Sequence, residues 1–209
     1  MYDVIFGIDP GIGGAIAVLD LRNGNIVAEV FSTPTKDIIK NKKKKKDYDV
    51  EAMALILEKY KNCKCLVAQE ATHAMPQQGT TSMYSFGRGA GIWEGMVAAY
   101  HMNHIFITPV SWKKEWADNL LKKLEKPEIL KISNIEFNRL SAFDRKKYNE
   151  TKKEHKKELE KAKKLSKDHA RDLAKKLYSN LEQEFVLKKD DGKAEALLIA
   201  EFSRRHHNA

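Results

Sequence analysis

The opening of the chain leaves it little freedom. Val4–Asp9 is an apolar run cut off by Pro10-Gly11, which reads as a buried strand followed by a turn. Gly13-Gly14 leads into a second strand, Ala15–Leu19. Asn23-Gly24 is a strong hairpin signal, and Ile26–Phe31 is the third strand. Three antiparallel strands therefore come first, and Pro34 ends them.

Downstream, the period changes. Val50, Met53, Ala54 and Leu57 fall at helical spacing within Tyr48–Lys61. Cys65–Ala68 is β-prone and delivers Gln69 and Glu70 to a strand end. A loop rich in Gly, Gln and Thr runs from Ala71 to Thr81. Ser82 is placed to cap a helix reaching about His101, with Gly87, Gly91 and Gly95 stacked on one side for close packing. Ile105–Thr108 reads as a strand and Ser111–Leu124 as a helix capped by Ser111. Pro127–Phe143 declares no period. Asp144–Lys167 reads as a solvent-exposed helix or a disordered arm. Asp168–Leu177 and Gly192–Arg205 read as two further helices.

A length of 209 residues suits one domain with an elaboration, or at most two small ones. An apolar fraction of 42% supports a core, so full disorder is not expected. No stretch approaches 18 uncharged apolar residues, so no membrane span is expected. The N-terminus lacks the basic region and cleavage site of a signal peptide. Cys63 and Cys65, held two apart by extended backbone, do not form an easy disulfide, and an intracellular setting follows as the expectation.

The charge is uneven. Thirty-eight Lys/Arg against 29 Asp/Glu give +9. Lys42–Lys46 is a run of five lysines, and Asp144–Lys167 holds eleven Lys/Arg against five Asp/Glu. The remainder is near −2, so two basic appendages sit on a nearly neutral body. A lysine run is ordinarily a solvated loop. Two of them beside an acidic site point to a phosphate backbone.

That acidic site is assembled from separated carboxylates. Asp9 ends the first strand, and the Pro-Gly turn leaves its side chain at the strand end. Glu70 closes the fourth strand, so the two meet if strands one and four are parallel neighbours. Asp191 and Glu195 are four apart and share a helical face. Singly, each has a bland reading, as a turn former, a strand-end charge or a helix-start acid. Together they could converge, and clustered carboxylates call for a divalent cation.

Gly7-Ile8-Asp9-Pro10-Gly11 with the glycine-rich hairpin resembles the opening of the RuvC-type Holliday-junction resolvases. Gln69-Glu70 resembles that family's second acidic position. Residues Ser82 to Gly89, Trp93-Glu94-Gly95, Ser111-Trp112-Lys113 and the stretch Lys189 to Ala200 are similar to its phage-encoded and chloroplast-type branches. The resemblance covers roughly residues 2–120 and 166–205. It implies a single α/β domain of the RNase H-like type: a mixed five-stranded sheet, three antiparallel strands then parallel ones, flanked by helices. The Lys-rich insertion, at about 125–165, has no counterpart there.

The resemblance further implies a homodimer that nicks four-way DNA junctions symmetrically by two-metal hydrolysis with Mg²⁺, for which Mn²⁺ substitutes. Asp9, Glu70, Asp191 and Glu195 match its metal-binding carboxylates. The last two lie four apart, as in the chloroplast-type branch, rather than three as in bacterial RuvC. Asp190 competes with Asp191 for its role. For DNA contact the sequence offers Lys42, Lys43, Lys44, Lys45 and Lys46, then Gln77 and Gln78 for base edges and Tyr84 for stacking. Arg88 is expected on a phosphate or a carboxylate. Lys113 is either near the cut phosphate or an ordinary helix-surface lysine. The rivals are a nuclease acting on RNA·DNA hybrid or flaps, a non-catalytic junction binder, and a phosphotransferase of the actin and sugar-kinase type. The last needs a second such domain, for which the chain is too short.

Overall fold

The computed structural model describes residues 1–40, 42–73, 79–116 and 133–207. Strands β1 (Val4–Asp9), β2 (Ala15–Asp20) and β3 (Val27–Ser32) form where the apolar runs lie, with Gly24 at φ 78° in the second turn. β1 and β2 pair antiparallel from Val4↔Asp20 to Asp9↔Ala15, and β3 continues the meander on β2.

The next segment departs from the expected lysine loop. Thr35–Lys40 and Lys43–Tyr48 are strands β4 and β5 of a separate two-stranded hairpin, with Lys42 at φ 58° between them. Lysine is a poor strand former, so local preference argues for a loop. The hairpin is instead fixed at its base. Tyr48 is buried, and its hydroxyl donates to Ser85 O at 2.9 Å and Pro10 O at 3.4 Å. Asp47 is ion-paired with Arg88, which holds its carboxyl below the usual range. Lys42–Lys46 stay exposed, and the strand period divides Lys43 and Lys45 from Lys44 and Lys46 on opposite faces.

Helix α1 (Val50–Glu58) is capped by Asp49, whose side chain accepts from Ala52 N. Strand β6 (Cys65–Glu70) lies beside β1 and parallel to it, from Val4↔Cys65 to Ile8↔Gln69. Helix α2 (Thr80–Ala99) starts three residues earlier than expected, with Gly79 at its N-cap rather than Ser82. Its glycine stripe also differs. A Cβ at Gly87, Gly91 or Gly95 would meet nothing within 4 Å, and the buried face is Gly89, Ala90, Trp93 and Val97. Trp93 and Val97 carry apolar area to the sheet, so they win that face over glycines that would bury almost none. Gly89 is the close-packed one: a Cβ there would lie 2.3 Å from Pro10 O.

Strand β7 (Asn103–Ile107) pairs parallel with β6. Helix α3 (Pro109–Glu115) begins at Pro109 with Thr108 as its cap, not at Ser111. Proline at the first helical position, behind a threonine cap, accounts for the earlier start. The expected extension to Leu124 lies outside the described residues.

The sheet order is β3-β2-β1-β6-β7, antiparallel through β1 and parallel beyond it. This is the mixed five-stranded sheet expected. One face carries Val4, Phe6, Ile8, Ile16, Val18 and Val67 against α1 and α2. The other carries Ile5, Ala17, Leu66 and Ala68 against helix α6 (Asp191–His207), with Trp112 of α3 and Ala170 and Ala174 in the same layer.

The chain divides into two compact units, Met1–Trp116 with Ala170–Ala209, and Ala117–His169. In the second, helix α4 (Asn134–Arg139) opens with a capping box between Ser133 and Glu136. Helix α5 runs from Ala142 to Leu177, so Asp144–Lys167 is helical and continuous with Asp168–Leu177. Its N-terminal turns are held locally. Arg145 donates to Leu140 O at 3.0 Å and Asn138 O at 2.6 Å, and Tyr148 packs on Phe137. In the first unit, Tyr178 donates to the buried Glu201 at 2.7 Å. Burial alone would raise Glu201, but bonds from Arg204, Arg205 and Tyr178 hold it down to about 2.

Candidate active site

The parallel register brings Asp9 and Glu70 together. Gly7 pairs with Ala68 and Ile8 with Gln69, so the next residues on each strand are Asp9 and Glu70. Alternation places Gly7 and Asp9 on one face, with Ala68 and Glu70 beside them. That is the face covered by α6. A Cβ at Gly7 would lie 2.1 Å from Ala196 O, so helix backbone sits directly on the strand. Glu195, next to Ala196, shares the electrostatic field of both Asp9 and Glu70.

The turn after Asp9 is equally tight. Gly14 N donates to Gly11 O at 2.9 Å, and a Cβ at Gly14 would lie 2.1 Å from Asp9 O. Gly192 packs on this turn, where a Cβ would meet Gly13 O at 2.7 Å. Only glycines let the start of α6, and hence Asp191, approach the strand end so closely.

The electrostatics follow. The Asp9 carboxyl is pushed up to about 7, first by desolvation, then by Glu195 and Glu70, with Gly11 N–H and Lys113 opposing. Glu70 is raised as well, by desolvation and then Glu195. Its Oε1 accepts from the indole Nε1 of Trp112 at 3.0 Å. Lys113 Nζ donates to Glu195 Oε1 at 3.2 Å, so this lysine is turned into the acidic cluster.

Asp191 and Asp190 are engaged differently. Asp191 is ion-paired with the buried Arg171, which also donates to Lys188 O at 3.3 Å. Asp190 is buried and its Oδ2 accepts from Leu187 N at 2.8 Å, which uses it as a local cap. Trp112 and Arg171 join the site without a role read from the sequence, where Trp112 stood only within the Ser111-Trp112-Lys113 stretch. Neither has a signal of its own, since their partners lie 42 and 20 residues away.

Among the described residues, no three carboxylate, imidazole or thiol side chains close on one point as they stand. The counter-charges in place are Lys113 and Arg171. The donors are all oxygens, the set that Mg²⁺ and Mn²⁺ take. A carboxyl that keeps its proton to near neutrality because of burial and like charge is what a cation would reverse. The donor set therefore fits a hard divalent ion.

Of the residues read as DNA contacts, Tyr84 is 72% exposed and Lys42–Lys46 are exposed. Arg88 sits on a carboxylate, Asp47. Gln77 and Gln78 lie outside the described residues.

Trp112→Phe isolates one of these interactions, since it keeps most of the ring volume and removes the N–H. Glu70 is then held less firmly. The Mn²⁺ concentration for half-maximal metal binding is expected to rise about tenfold, the usual size when a supporting hydrogen bond is removed. A calorimetric Mn²⁺ titration checks it, and an unchanged midpoint would make Trp112 a packing residue alone.

No family model and no curated protein sequence matches the chain. Among solved structures, T. thermophilus RuvC in complex with Holliday junction substrate matches with a TM-score of 0.50 at 13% identity, over 99% of this chain and 98% of that one. Another Thermus thermophilus RuvC structure matches with a TM-score of 0.34 at 17% identity, over 53% of this chain and 67% of that one. The sheet order, the helices on both faces and the first of these likenesses agree: the chain has a RuvC-like fold of the RNase H type.

Proposed function

We propose that the protein is a metal-dependent endonuclease of the RuvC type that resolves four-way DNA junctions by paired symmetric nicks. One observation carries this reading. Asp9 and Glu70 end adjacent parallel strands, Glu195 reaches them from α6, and burial, then the charges of Glu195 and Glu70, push the Asp9 carboxyl up to about 7. The RuvC-like fold supports the choice of reaction. The four-residue spacing of Asp191 and Glu195 favours the chloroplast-type or phage-encoded branch.

In this proposal Asp9, Glu70 and Glu195 would hold the metal, with Asp191, now paired with Arg171, as the fourth carboxylate. Mg²⁺, when bound, would supply activation of water and stabilisation of the leaving oxygen. Lys113, which now donates to Glu195, would serve a phosphate oxygen. Tyr84 stacks on a base at the crossover, with Gln77 and Gln78 reading base edges. Arg88 serves DNA through the hairpin it anchors. Two nicks of matching position require two copies of the chain, hence a homodimer.

The test is Mg²⁺-dependent cleavage of a labelled four-way junction beside linear duplex, fork and RNA·DNA hybrid. Paired nicks in the junction alone are expected. Cutting of the hybrid or fork instead would favour the other RNase H-like reading, and binding without cutting would leave a junction-binding protein.

The β4–β5 hairpin gives a second expectation. Replacing Lys42–Lys46 with glutamine weakens junction binding and flattens its salt dependence, by about 0.9 in the log–log slope for each phosphate the lysines neutralise. Binding titrations between about 50 and 200 mM salt check it. An unchanged slope would leave the run a solvated hairpin.

A further inference from the structure

Helix α5 carries 14 Lys/Arg against 7 Asp/Glu, a net +7, more than the β4–β5 hairpin holds. Of these, only Arg171 enters the site described above. Within the second unit its described side chains sort by face. At about 100° per residue, Lys146, Lys153 and Lys157 fall within about 40° of one another, and Lys156 lies about 60° from Lys153. The four are exposed and span about 16 Å of helix axis. Glu150 and Glu154 lie just past one edge of this stripe. Arg145 and Lys152, towards the other edge, are committed to backbone carbonyls and to the Tyr148 ring.

Among the described residues the stripe lacks counter-ions. None of the four lysines makes an ion pair or hydrogen bond among the described residues, although Glu150 is four residues from Lys146 and three from Lys153. Lys153 and Lys157 are like charges four apart, which weakens a helix on its own. A surface of this kind is stabilised by an external polyanion.

The apolar side argues against a lipid surface. A membrane-lying helix needs a broad apolar face opposite its lysines. Here Thr151 lies opposite, and Tyr148 packs on Phe137 with the ring centroids 5.4 Å apart. Duplex DNA presents one charge per about 1.7 Å of axis, so the stripe faces several phosphates in any orientation along a groove edge.

We propose that the Lys146, Lys153, Lys156 and Lys157 face of α5 is a second DNA-backbone contact, independent of base sequence and of junction geometry. The proposal rests on the nuclease reading for its choice of polyanion. Phosphate contact of this sort adds affinity and salt dependence without specificity.

The experiment measures binding of the full-length protein to a short linear duplex and to a four-way junction, without divalent metal, across about 50 to 200 mM salt. The K146Q/K153Q/K156Q/K157Q variant should lower the log–log slope by between about 2 and 4 on both DNAs, about 0.9 for each phosphate no longer neutralised. Should that variant lose helix by circular dichroism, E150Q/E154Q provides the opposite test and should bind both DNAs more tightly. Unchanged slopes with unchanged affinity in E150Q/E154Q would overturn the proposal. So would lysine-dependent binding to anionic lipid vesicles with none to duplex. Failure of the nuclease reading shows separately, as a wild-type protein that binds DNA with the predicted slope and cuts nothing in Mg²⁺.

Discussion

Asp9→Asn is expected to lower junction cleavage by at least about a thousandfold, roughly 4 kcal/mol of barrier, while junction binding survives. The same change should stabilise the metal-free fold. An ordinary Asp ionises near 3.8, and this one keeps its proton to about 7 because its carboxyl is desolvated and shares space with Glu195 and Glu70. Below pH 3.8 it is protonated in the folded and the unfolded chain, so it costs nothing. As pH rises from there, the unfolded chain releases the proton and the folded chain does not, so stability falls. Above about 7 the full penalty is present, up to about 4 kcal/mol. Asparagine carries none of it. Urea unfolding at pH 5 and pH 8 without divalent metal should show wild type losing clearly more stability than the variant, in which only the raised Glu70 still contributes. Cleavage at the wild-type rate would remove Asp9 from the site. Glu70→Gln should also abolish cutting, since Glu70 lies in the same field.

Gly7→Ala is expected to have the largest effect on stability. Its Cβ would stand 2.1 Å from Ala196 O and 2.4 Å from Ala200 N, both backbone atoms of α6. No rotamer change relieves such clashes, so the helix must move away from β1. Overpacking against a movable side chain costs about 1–3 kcal/mol. Against helix backbone in the middle of the sheet, more than about 3 kcal/mol is expected. Displacing α6 also carries Glu195 away from Asp9, so the fraction that folds should cut poorly even at low temperature. Denaturant midpoints and cleavage rates measured together check both effects. A loss under about 1 kcal/mol would mean that α6 is seated more loosely than its close approach to β1 indicates.

These two residues also show how far the sequence could be read. Asp9 was legible because Pro10-Gly11 ends an apolar run and leaves one carboxylate at a strand end. Glu70 was legible as the end of the apolar Cys65–Ala68 run, and the register that pairs Ile8 with Gln69 sets it beside Asp9. Gly7 carries no such signal. Its demand comes from a helix nearly two hundred residues away in sequence, and no local pattern encodes that approach. The β4–β5 hairpin was hidden for a related reason. Lysines favour a loop locally, and the hairpin is set by Tyr48 docking on Pro10 and Ser85 and by the pairing of Asp47 with Arg88.

The glycine stripe of α2 shows the opposite failure. Gly87, Gly91 and Gly95 have the spacing of a packing face, yet the buried side is the one bearing Trp93 and Val97. Spacing says which residues share a face, and apolar area decides which face is covered. The start of α3 is encoded in a pattern other than Ser111, since Thr108-Pro109 is a cap followed by a first-turn proline. The parts played by Trp112 and Arg171 show only once folding has placed them beside Glu70 and Asp191.

The three-carboxylate centre is most directly tested by calorimetric titration of the metal-free protein with Mn²⁺ at pH 7, in two buffers of different ionisation enthalpy. Wild type should bind the ion and release a proton, because Asp9 is still partly protonated there and must ionise to serve as a ligand. The release should shrink towards pH 9, and Asp9→Asn should lose both the proton and most of the affinity. Equal binding by wild type and Asp9→Asn, or no binding by either, would contradict it.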